Sequence, residues 1–176
     1  MISSEPNEHE LKVLLIGSCD ISKAFFELVL QKFSLDDIYV PITGQSWRVF
    51  SRTIADERFR IYVQDSFSGM RLSELEQKHM WNWESVVIVF NCDLAQNLLE
   101  VRKGLNAILK ETKFFIVVVG IIFTLETREI VFEEAVELCK EFNVIYTELD
   151  LTTKNFSFEI LEILIRAKFS SILKTN

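Results

Sequence analysis

A segment early in the sequence carries residue types suited to phosphate binding. Gly17 to Ala24 reads GSCDISKA and lies between an apolar run and a helical pattern, which is the context of a phosphate-binding loop with the pattern G-x-x-x-x-G-K-[ST]. Gly17 and Lys23 match that pattern. Ser22 replaces the glycine that lets backbone N–H groups close around phosphate oxygens, and Ala24 replaces the hydroxyl that would bind magnesium. The segment is predicted to be a vestigial phosphate loop without its magnesium ligand.

Lys23 leaves two interpretations open. Its ammonium group is either a remaining anchor for an anion or, as we favour, a solvated lysine at the start of a helix. Asp20 favours the second interpretation, because a carboxylate inside the loop repels the phosphate that the loop would hold.

Other residue types that carry chemistry are scattered along the sequence. Cys19, Cys92 and Cys139 are widely spaced, so neither a disulfide framework nor a zinc site is expected. His9 and His79 have no carboxylate and cysteine partners at metal-ligand spacing. No G-x-S-x-G segment presents a nucleophilic serine. The sequence therefore predicts no metal site and no catalytic residue.

Composition and charge exclude several classes of function. The chain has 176 residues, 49% of them apolar, which suits a single packed domain. Its 26 acidic and 19 basic residues give a net charge of −7 without a basic run, so nucleic acid is not an expected partner. The longest apolar runs fall short of the roughly 20 residues that span a bilayer. No secretory signal is present and no cysteine follows Cys139, so we expect a cytoplasmic protein without a direct lipid anchor.

Hydrophobic periodicity indicates alternating strands and helices. Short apolar runs predict strands, and apolar residues at helical spacing predict helices between them. The predicted strands are Leu11–Ile16, Trp47–Ile54, Phe59–Gln64, Ser85–Asn91, Phe114–Gly120 and Val144–Thr147, and the predicted helices are Ser22–Phe33, Leu94–Lys110, Glu129–Phe142 and Phe158–Leu173. The second and third strands are expected to form a hairpin around a four-residue turn at positions 55–58. This alternation predicts an α/β fold with a doubly wound sheet and helices on both faces.

Two further segments give the chain its resemblance to a known family. Tyr39–Gly44 (YVPITG) is similar to the first switch of small GTPases, and Gln64–Gly69 (QDSFSG) is similar to their second switch. The intervals from Gly17 to Gly44 and from Gly44 to Asp65 also match the spacing of these motifs in small GTPases, without an insertion. The chain resembles the Ras superfamily, and most of all its Rab branch, which implies a six-stranded, mostly parallel sheet with one antiparallel strand. The resemblance divides the chain into an N-terminal extension (1–10), a single domain (11–173) and a short tail (174–176).

The resemblance also implies that the groups used for GTP hydrolysis are missing. The switch threonine falls on Ile42, the glycine that senses the terminal phosphate falls on Ser68, and the glutamine that orients water falls on Gly69. Asp65 remains as the magnesium contact, without the oxygens that would cooperate with it. We therefore expect a catalytically inactive domain, a pseudoGTPase.

The guanine-recognition motif of the resembled family is replaced too. Its Asn-Lys-x-Asp becomes Ile121, Ile122, Phe123 and Thr124, which removes the carboxylate that pairs with guanine. Residues 150–152 (DLT) stand where the family has Ser-Ala-Lys. The side chains of Ile121, Ile122 and Phe123 are expected to lie in the place of the purine, so that the pocket collapses onto itself.

Aromatic residues mark the expected partner surface, which consists of Trp47, His79, Trp81 and Trp83. Trp47 falls on a strand position that belongs to the effector-binding surface of the resembled family. Gln64 and His79 replace the other two aromatics of that surface, so an altered protein partner is expected. Trp81 and Trp83 either plug the empty nucleotide side or the sheet edge, or belong to an exposed docking surface.

These observations predict a Rab-like pseudoGTPase that acts as a protein-interaction or scaffold subunit, takes no cofactor and has a place in a larger complex. Two alternatives stay open. One is a divergent small GTPase in vesicle trafficking that keeps weak or magnesium-independent binding of GDP or GTP. The other is a module of flavodoxin-like topology, whose sheet would be wholly parallel and would lack the hairpin.

Overall fold

The computed structural model of the protein describes residues 8–17, 21, 40–42, 45–65, 83–109, 114–153 and 159–170. Seven strands and three helices lie within these ranges. The strands are β1 (Glu8–Ile16), β2 (Val40–Ile42), β3 (Gln45–Ile54), β4 (Glu57–Asp65), β5 (Ser85–Asn91), β6 (Phe115–Ile122) and β7 (Ile145–Asp150), and the helices are α1 (Gln96–Ile108), α2 (Phe132–Glu141) and α3 (Glu159–Lys168).

The strands form one mixed sheet in the order β2-β3-β4-β1-β5-β6-β7. β3 pairs antiparallel with both of its neighbours, and every other pairing is parallel. The predicted α/β fold with one antiparallel strand is confirmed, and the three-residue strand β2 adds a short edge to the six longer strands. The antiparallel hairpin also excludes the flavodoxin-like alternative.

The sheet is buried on both faces, as the unbroken apolar runs of its central strands require. Side chains along β1 alternate between two clusters, because Val13 and Leu15 lie with α3, whereas Leu14 and Ile16 lie with α1 and α2. All three helices contribute buried residues, which are Val101, Leu105 and Ile108 in α1, Ala135, Leu138 and Cys139 in α2, and Ile160, Leu164 and Ile165 in α3. The sheet is therefore the middle layer of three.

The turn between β3 and β4 is shorter than the sequence suggested. β3 runs to Ile54 and β4 begins at Glu57, so the turn consists of Ala55 and Asp56 alone. Both residues have positive φ, 51° and 64°, as a two-residue turn of the type favoured in hairpins requires. The prediction of a four-residue turn is wrong. The two-residue turn could not be recognised in the sequence, because neither of its residues is the glycine or asparagine that typically indicates this geometry.

Other boundaries also differ from the sequence prediction. β1 begins at Glu8, inside the predicted N-terminal extension, because Glu8 pairs with Arg58 of β4. β6 continues past Gly120 to Ile122, and β7 is displaced toward the C-terminus, ending at Asp150. The helices α1 and α2 begin two and three residues later than predicted, at Gln96 and Phe132. The predicted helix Ser22–Phe33 lies outside the described residues.

The hairpin turn gives a first prediction. Replacing its residues with Asn-Gly (Ala55→Asn with Asp56→Gly) relieves the positive-φ strain and should raise the free energy of unfolding by about 1 kcal/mol, measured by urea denaturation. Ala55→Val is the control, because a β-branched residue disfavours positive φ, and it should lower the same quantity. Equal free energies of unfolding in the two variants, or a higher value for Ala55→Val, would contradict the two-residue turn.

Candidate functional site

The residues predicted for the nucleotide site lie at one edge of the sheet. β1, β4, β5, β6 and β7 are mutually parallel, so their carboxyl ends meet there. Gly17 follows β1 directly, and Asp65, which pairs with Leu15, ends β4. Ile121 and Ile122 end β6. This is the edge at which ligands bind in open α/β sheets.

Part of the predicted site falls on residues that the structure leaves undescribed: Ser22, Lys23, Ala24, Ser68, Gly69, His79 and Trp81. The backbone places Ile42 at the end of β2, paired with Gln45. It also places Trp47 on β3, between Val40 and Gln64. The proposed loss of the phosphate-binding groups and the proposed aromatic surface therefore stay predictions.

The base-recognition half of the site is described, and its two isoleucines are core residues. Ile121 is completely buried in the cluster on the α3 side of the sheet, and Ile122 is buried in the cluster on the opposite side. Ile21, which follows β1, and Leu151, which follows β7, pack against the same cluster as Ile121. Phe123, grouped with the isoleucines in the sequence analysis, is instead 36% exposed.

Main-chain hydrogen bonds join the strand ends at this position. The amide of Cys92 donates to the carbonyl of Ile121 at 2.9 Å, and the amide of Leu151 donates to the carbonyl of Ile122 at 2.9 Å. The ends of β5, β6 and β7 are thereby connected through the two residues predicted to replace Asn-Lys. A change in the path of β6 here would leave buried amides without acceptors, at a cost of about 1–3 kcal/mol each.

Thr124, which the sequence resemblance puts at the position of the guanine-binding carboxylate, is engaged within its own loop. Its Oγ1 atom lies 2.5 Å from Oγ1 of Thr127 and accepts a hydrogen bond from the Thr127 amide at 3.4 Å. Both side chains are exposed. The hydroxyl carries no charge, so it lacks the negative group that would favour the paired donors of a guanine edge.

The loop predicted to stand in place of Ser-Ala-Lys is closed by a side-chain turn. Oδ1 of Asp150 accepts hydrogen bonds from the amide of Thr152 at 2.8 Å and from its hydroxyl at 2.6 Å. These bonds favour the ionised carboxylate and lower the pKa of Asp150, against a smaller opposing effect of burial. Like Thr124, Asp150 uses its polar group to shape its own loop.

A polar network behind this edge was not apparent in the sequence. Arg128 contacts both carboxylate oxygens of Glu148, with its Nη2 atom 2.6 Å from Oε1 and its Nη1 atom 3.2 Å from Oε2. The Tyr146 hydroxyl donates to Oε1 of the same carboxylate at 2.7 Å, and Nε of Arg128 donates to the carbonyl of Ile130 at 2.7 Å. The network anchors the segment between β6 and α2 onto β7.

Burial and charge act together on the groups of this network. Burial is the main cause of the raised pKa of Tyr146, and the hydrogen bond to Glu148 adds to it. Desolvation lowers the pKa of Arg128, but the hydrogen bonds and charge of Glu148 outweigh it, so that the pKa is raised overall. Arg128 is therefore a permanent cation that neutralises a carboxylate of low exposure.

Gly120 allows the network to approach β6 closely. A Cβ atom at this position would lie 2.7 Å from Sγ of Cys92 and would collide with the hydroxyl of Tyr146. The glycine leaves room for Tyr146 beside Cys92, whose sulfur lies 3.9 Å from the Tyr146 hydroxyl. Burial raises the pKa of Cys92 to about 11 and that of Cys139 to about 12.

Trp83 is the one residue of the predicted partner surface whose side chain the structure describes. It is half-buried and packs against the cluster shared by α1 and α2. In the described parts of the chain, no group of three or more histidine, cysteine or acidic residues is arranged to hold a metal ion. Across the same residues, no helix combines the length and the apolar character needed to cross a bilayer.

Comparison with protein families identifies the chain. Residues 12–168 match the model of the Ras family, a span that runs from β1 to the last residue of α3. The chain belongs to the Ras family. None of the curated proteins compared with it gives a match.

The Arg128–Glu148 network gives a prediction about stability. Arg128→Ala leaves the Glu148 carboxylate without its cation and the Ile130 carbonyl without its donor, so the free energy of unfolding should fall by about 2 kcal/mol in urea denaturation. Arg102→Ala is the matched control, because Arg102 contacts both oxygens of Glu141 on an exposed surface. It should cost less than about 1 kcal/mol. Equal losses of unfolding free energy in the two variants would contradict the structural role of the Arg128–Glu148 pair.

The buried thiols give a prediction about reactivity. In a Cys19→Ser background, Cys92 and Cys139 should resist a thiol-specific disulfide reagent at pH 8 until the protein is unfolded, because burial blocks access and disfavours the thiolate. In the unfolded chain the same thiols ionise near pH 8.5. Since the folded state holds these protons more tightly, stability should decline as the pH rises from about 8.5 toward 11. Rapid labelling of the folded variant would contradict the packing.

Proposed function

We propose that this Ras-family domain is a Rab-like pseudoGTPase, a cytoplasmic protein-interaction or scaffold subunit that neither binds GTP tightly nor hydrolyses it. The observation that carries the proposal is the burial of Ile121. Its side chain belongs to the same apolar cluster as Ile21 and Leu151, which come from the segments that would hold phosphate and base. These residues contribute to the apolar core on this side of the sheet.

Energetics support a collapsed site rather than an empty one. Burial of each isoleucine side chain contributes about 1.5–3 kcal/mol to folding. A purine placed here would have to displace Ile121 from the α3-side cluster, and Ile122 lies on the other face, where it cannot reach the same ligand. Nucleotide binding would thus begin with a loss of core packing.

The missing polar contacts act in the same direction. The side chains at Ala24 and Ile42 offer no oxygen to magnesium, and Thr124 offers no carboxylate to guanine. If each lost contact is worth about 1.5–3 kcal/mol, three of them lower the affinity by roughly a thousandfold to a millionfold. Coupled contacts do not simply add, so the sum argues against tight binding rather than against any binding.

A domain of this kind is suited to interaction rather than switching. A molecular switch needs a ligand that binds one of two states better than the other. Without such a ligand, the surface of the domain keeps one conformation and can present it continuously to a protein partner. Trp47, whose backbone lies on β3, is a candidate contact for that partner.

Nucleotide binding tests the proposal directly. The purified protein should carry no GDP or GTP after denaturation and chromatography, and fluorescent GDP at micromolar concentration should show no rise in anisotropy, with or without magnesium. Retained guanine nucleotide, or fluorescent GDP displaced by guanine but not adenine nucleotides, would disprove the proposal.

A restoring variant sharpens this experiment. Ile121→Asn with Thr124→Asp returns two groups of the guanine-recognition motif, but it removes a buried side chain, so the free energy of unfolding should fall by about 2–4 kcal/mol without tight GDP binding. Leu125→Asn with Thr124→Asp is the control, because Leu125 is exposed and its loss should cost less than about 1 kcal/mol. A restored variant that gains stability from GDP would instead show an intact pocket.

A further inference from the structure

Four exposed apolar side chains lie in the first turns of α1 and α2 or just before them, and the function proposed above does not account for them. We call them the α1–α2 patch, which consists of Leu94, Leu99, Val131 and Phe132. These four side chains are 45–54% exposed. Isolated exposed apolar residues are common on monomers, whereas a contiguous exposed apolar surface is typical of a contact with another molecule.

Hydrogen bonds hold the two halves of the patch together. The carbonyl of Cys92 accepts from the amides of Glu129 and Ile130 at 3.0 and 2.9 Å. The carboxylate of Glu129 accepts from the amide of Ala95, the residue at the start of α1, at 2.8 Å. The segment that carries Leu94 is thereby fixed beside the segment that carries Val131.

Val131 occupies a position at which its own helix favours a different residue. It is the N-cap of α2, with φ −75° and ψ 149°, and its side chain makes no capping hydrogen bond. Ser, Thr, Asp and Asn are preferred there, because a side-chain oxygen can accept an orphan amide, and their absence costs about 0.5–2 kcal/mol. The exposed valine therefore offers its own helix no capping hydrogen bond.

Phe132 is nevertheless held in a defined position. Its ring centroid lies 5.5 Å from that of Tyr146, in a tilted arrangement. Tyr146 in turn is fixed by its hydrogen bond to Glu148. The patch thus presents a supported aromatic side chain, which is the kind of anchor that carries much of the binding energy of protein interfaces.

The charges around the patch select the partner. Residues 123–137 contain five glutamates and one arginine, and that arginine, Arg128, is engaged by Glu148. Glu126, Glu133 and Glu137 are exposed, and no described residue forms an ion pair with them. These carboxylates, which are close in sequence to Val131 and Phe132, favour a positively charged partner over an acidic one.

We propose that the α1–α2 patch is the docking site of a basic amphipathic helix from a protein partner, with its apolar side chains on Phe132 and its lysines or arginines toward the glutamates. Recognition of an amphipathic helix by an apolar surface with a charged rim is an established mode of peptide binding. The inference rests on the proposed interaction role, but it does not depend on whether the domain binds nucleotide.

Two synthetic peptides test this docking site. Both are about 18 residues long, roughly five helical turns, with leucines at helical spacing and either lysine or glutamate at the remaining positions. Fluorescence anisotropy with the full chain should show the lysine peptide binding at least about tenfold more tightly than the glutamate peptide. Equal binding of the two, or no binding of the lysine peptide, would overturn the proposal.

Variants assign this binding to the patch. Val131→Ser with Phe132→Ser should weaken the lysine peptide by about tenfold or more while α2 keeps its fold, because serine is a preferred N-cap. Ile145→Ser is the matched control: Ile145 is also apolar and exposed but begins β7 at the opposite end of the sheet, so it should change the affinity less than about twofold. Equal losses in the two variants would overturn the assignment.

Two further measurements separate the alternatives. Glu126→Gln with Glu137→Gln should reduce the preference for lysine and its dependence on salt. Sedimentation velocity reveals whether the chain self-associates, and a dimer abolished by the Val131→Ser, Phe132→Ser change would assign the patch to a second copy and overturn the proposal. Nucleotide binding by a chain that still docks the lysine peptide would disprove the pseudoGTPase role alone, whereas lost docking without nucleotide binding would disprove only the docking site.

Discussion

The continuation of β6 through Ile121 and Ile122 is the constraint on which the structure at the carboxyl ends of the parallel strands depends. Successive strand residues point to opposite faces of a sheet, so each of the two isoleucines enters a different core. Their carbonyls accept amides from the segments after β5 and β7. Packing on both faces and hydrogen bonding on both sides therefore fix the same short stretch of chain, and no part of it can move without loss elsewhere.

A second layer of interactions stabilises the segment that leaves β6. Arg128 joins this segment to Glu148 on β7. The carbonyl of Cys92, just after β5, accepts hydrogen bonds from the amides of Glu129 and Ile130. Ion pairs of this kind gain strength when they are partly shielded from water and when both oxygens are used. The exposed residues that follow, Val131 and Phe132, are consequently held in place by the hydrogen bonds of the preceding segment, although Val131 gives its own helix no capping hydrogen bond.

Much of the fold could be predicted from the sequence, because its strongest signals are local. β5 has the bounds that its sequence predicts, Ser85–Asn91, since a continuous apolar run is typical of a strand buried on both faces. The end of β6 was not predictable in this way, because a glycine often indicates the end of a strand, whereas Gly120 is the site of a close approach by Tyr146. The turn at Ala55 and Asp56 escaped prediction because residues with side chains rarely adopt positive φ.

The candidate site was predictable only in part. A family resemblance predicts that Ile121, Ile122 and Thr124 replace guanine-binding residues, but their burial and hydrogen bonds depend on neighbouring strands and leave no trace in local spacing. The contact between Arg128 and Glu148 joins residues twenty positions apart, and such a separation has no periodic signature. Likewise, the exposure of Val131 is a property of the assembled surface, since a valine in a sequence more often indicates a core position.

Gly120 has a consequence that extends well beyond its own strand. The space left by its missing side chain is occupied by the Tyr146 hydroxyl, and the ring of Tyr146 supports Phe132 on the outside of the molecule. A methyl group added at Gly120 would therefore displace Tyr146, and the displacement of Tyr146 would in turn move Phe132 on the surface. A substitution of this glycine is therefore expected to move Phe132, and with it the proposed docking surface, even in a chain that still folds.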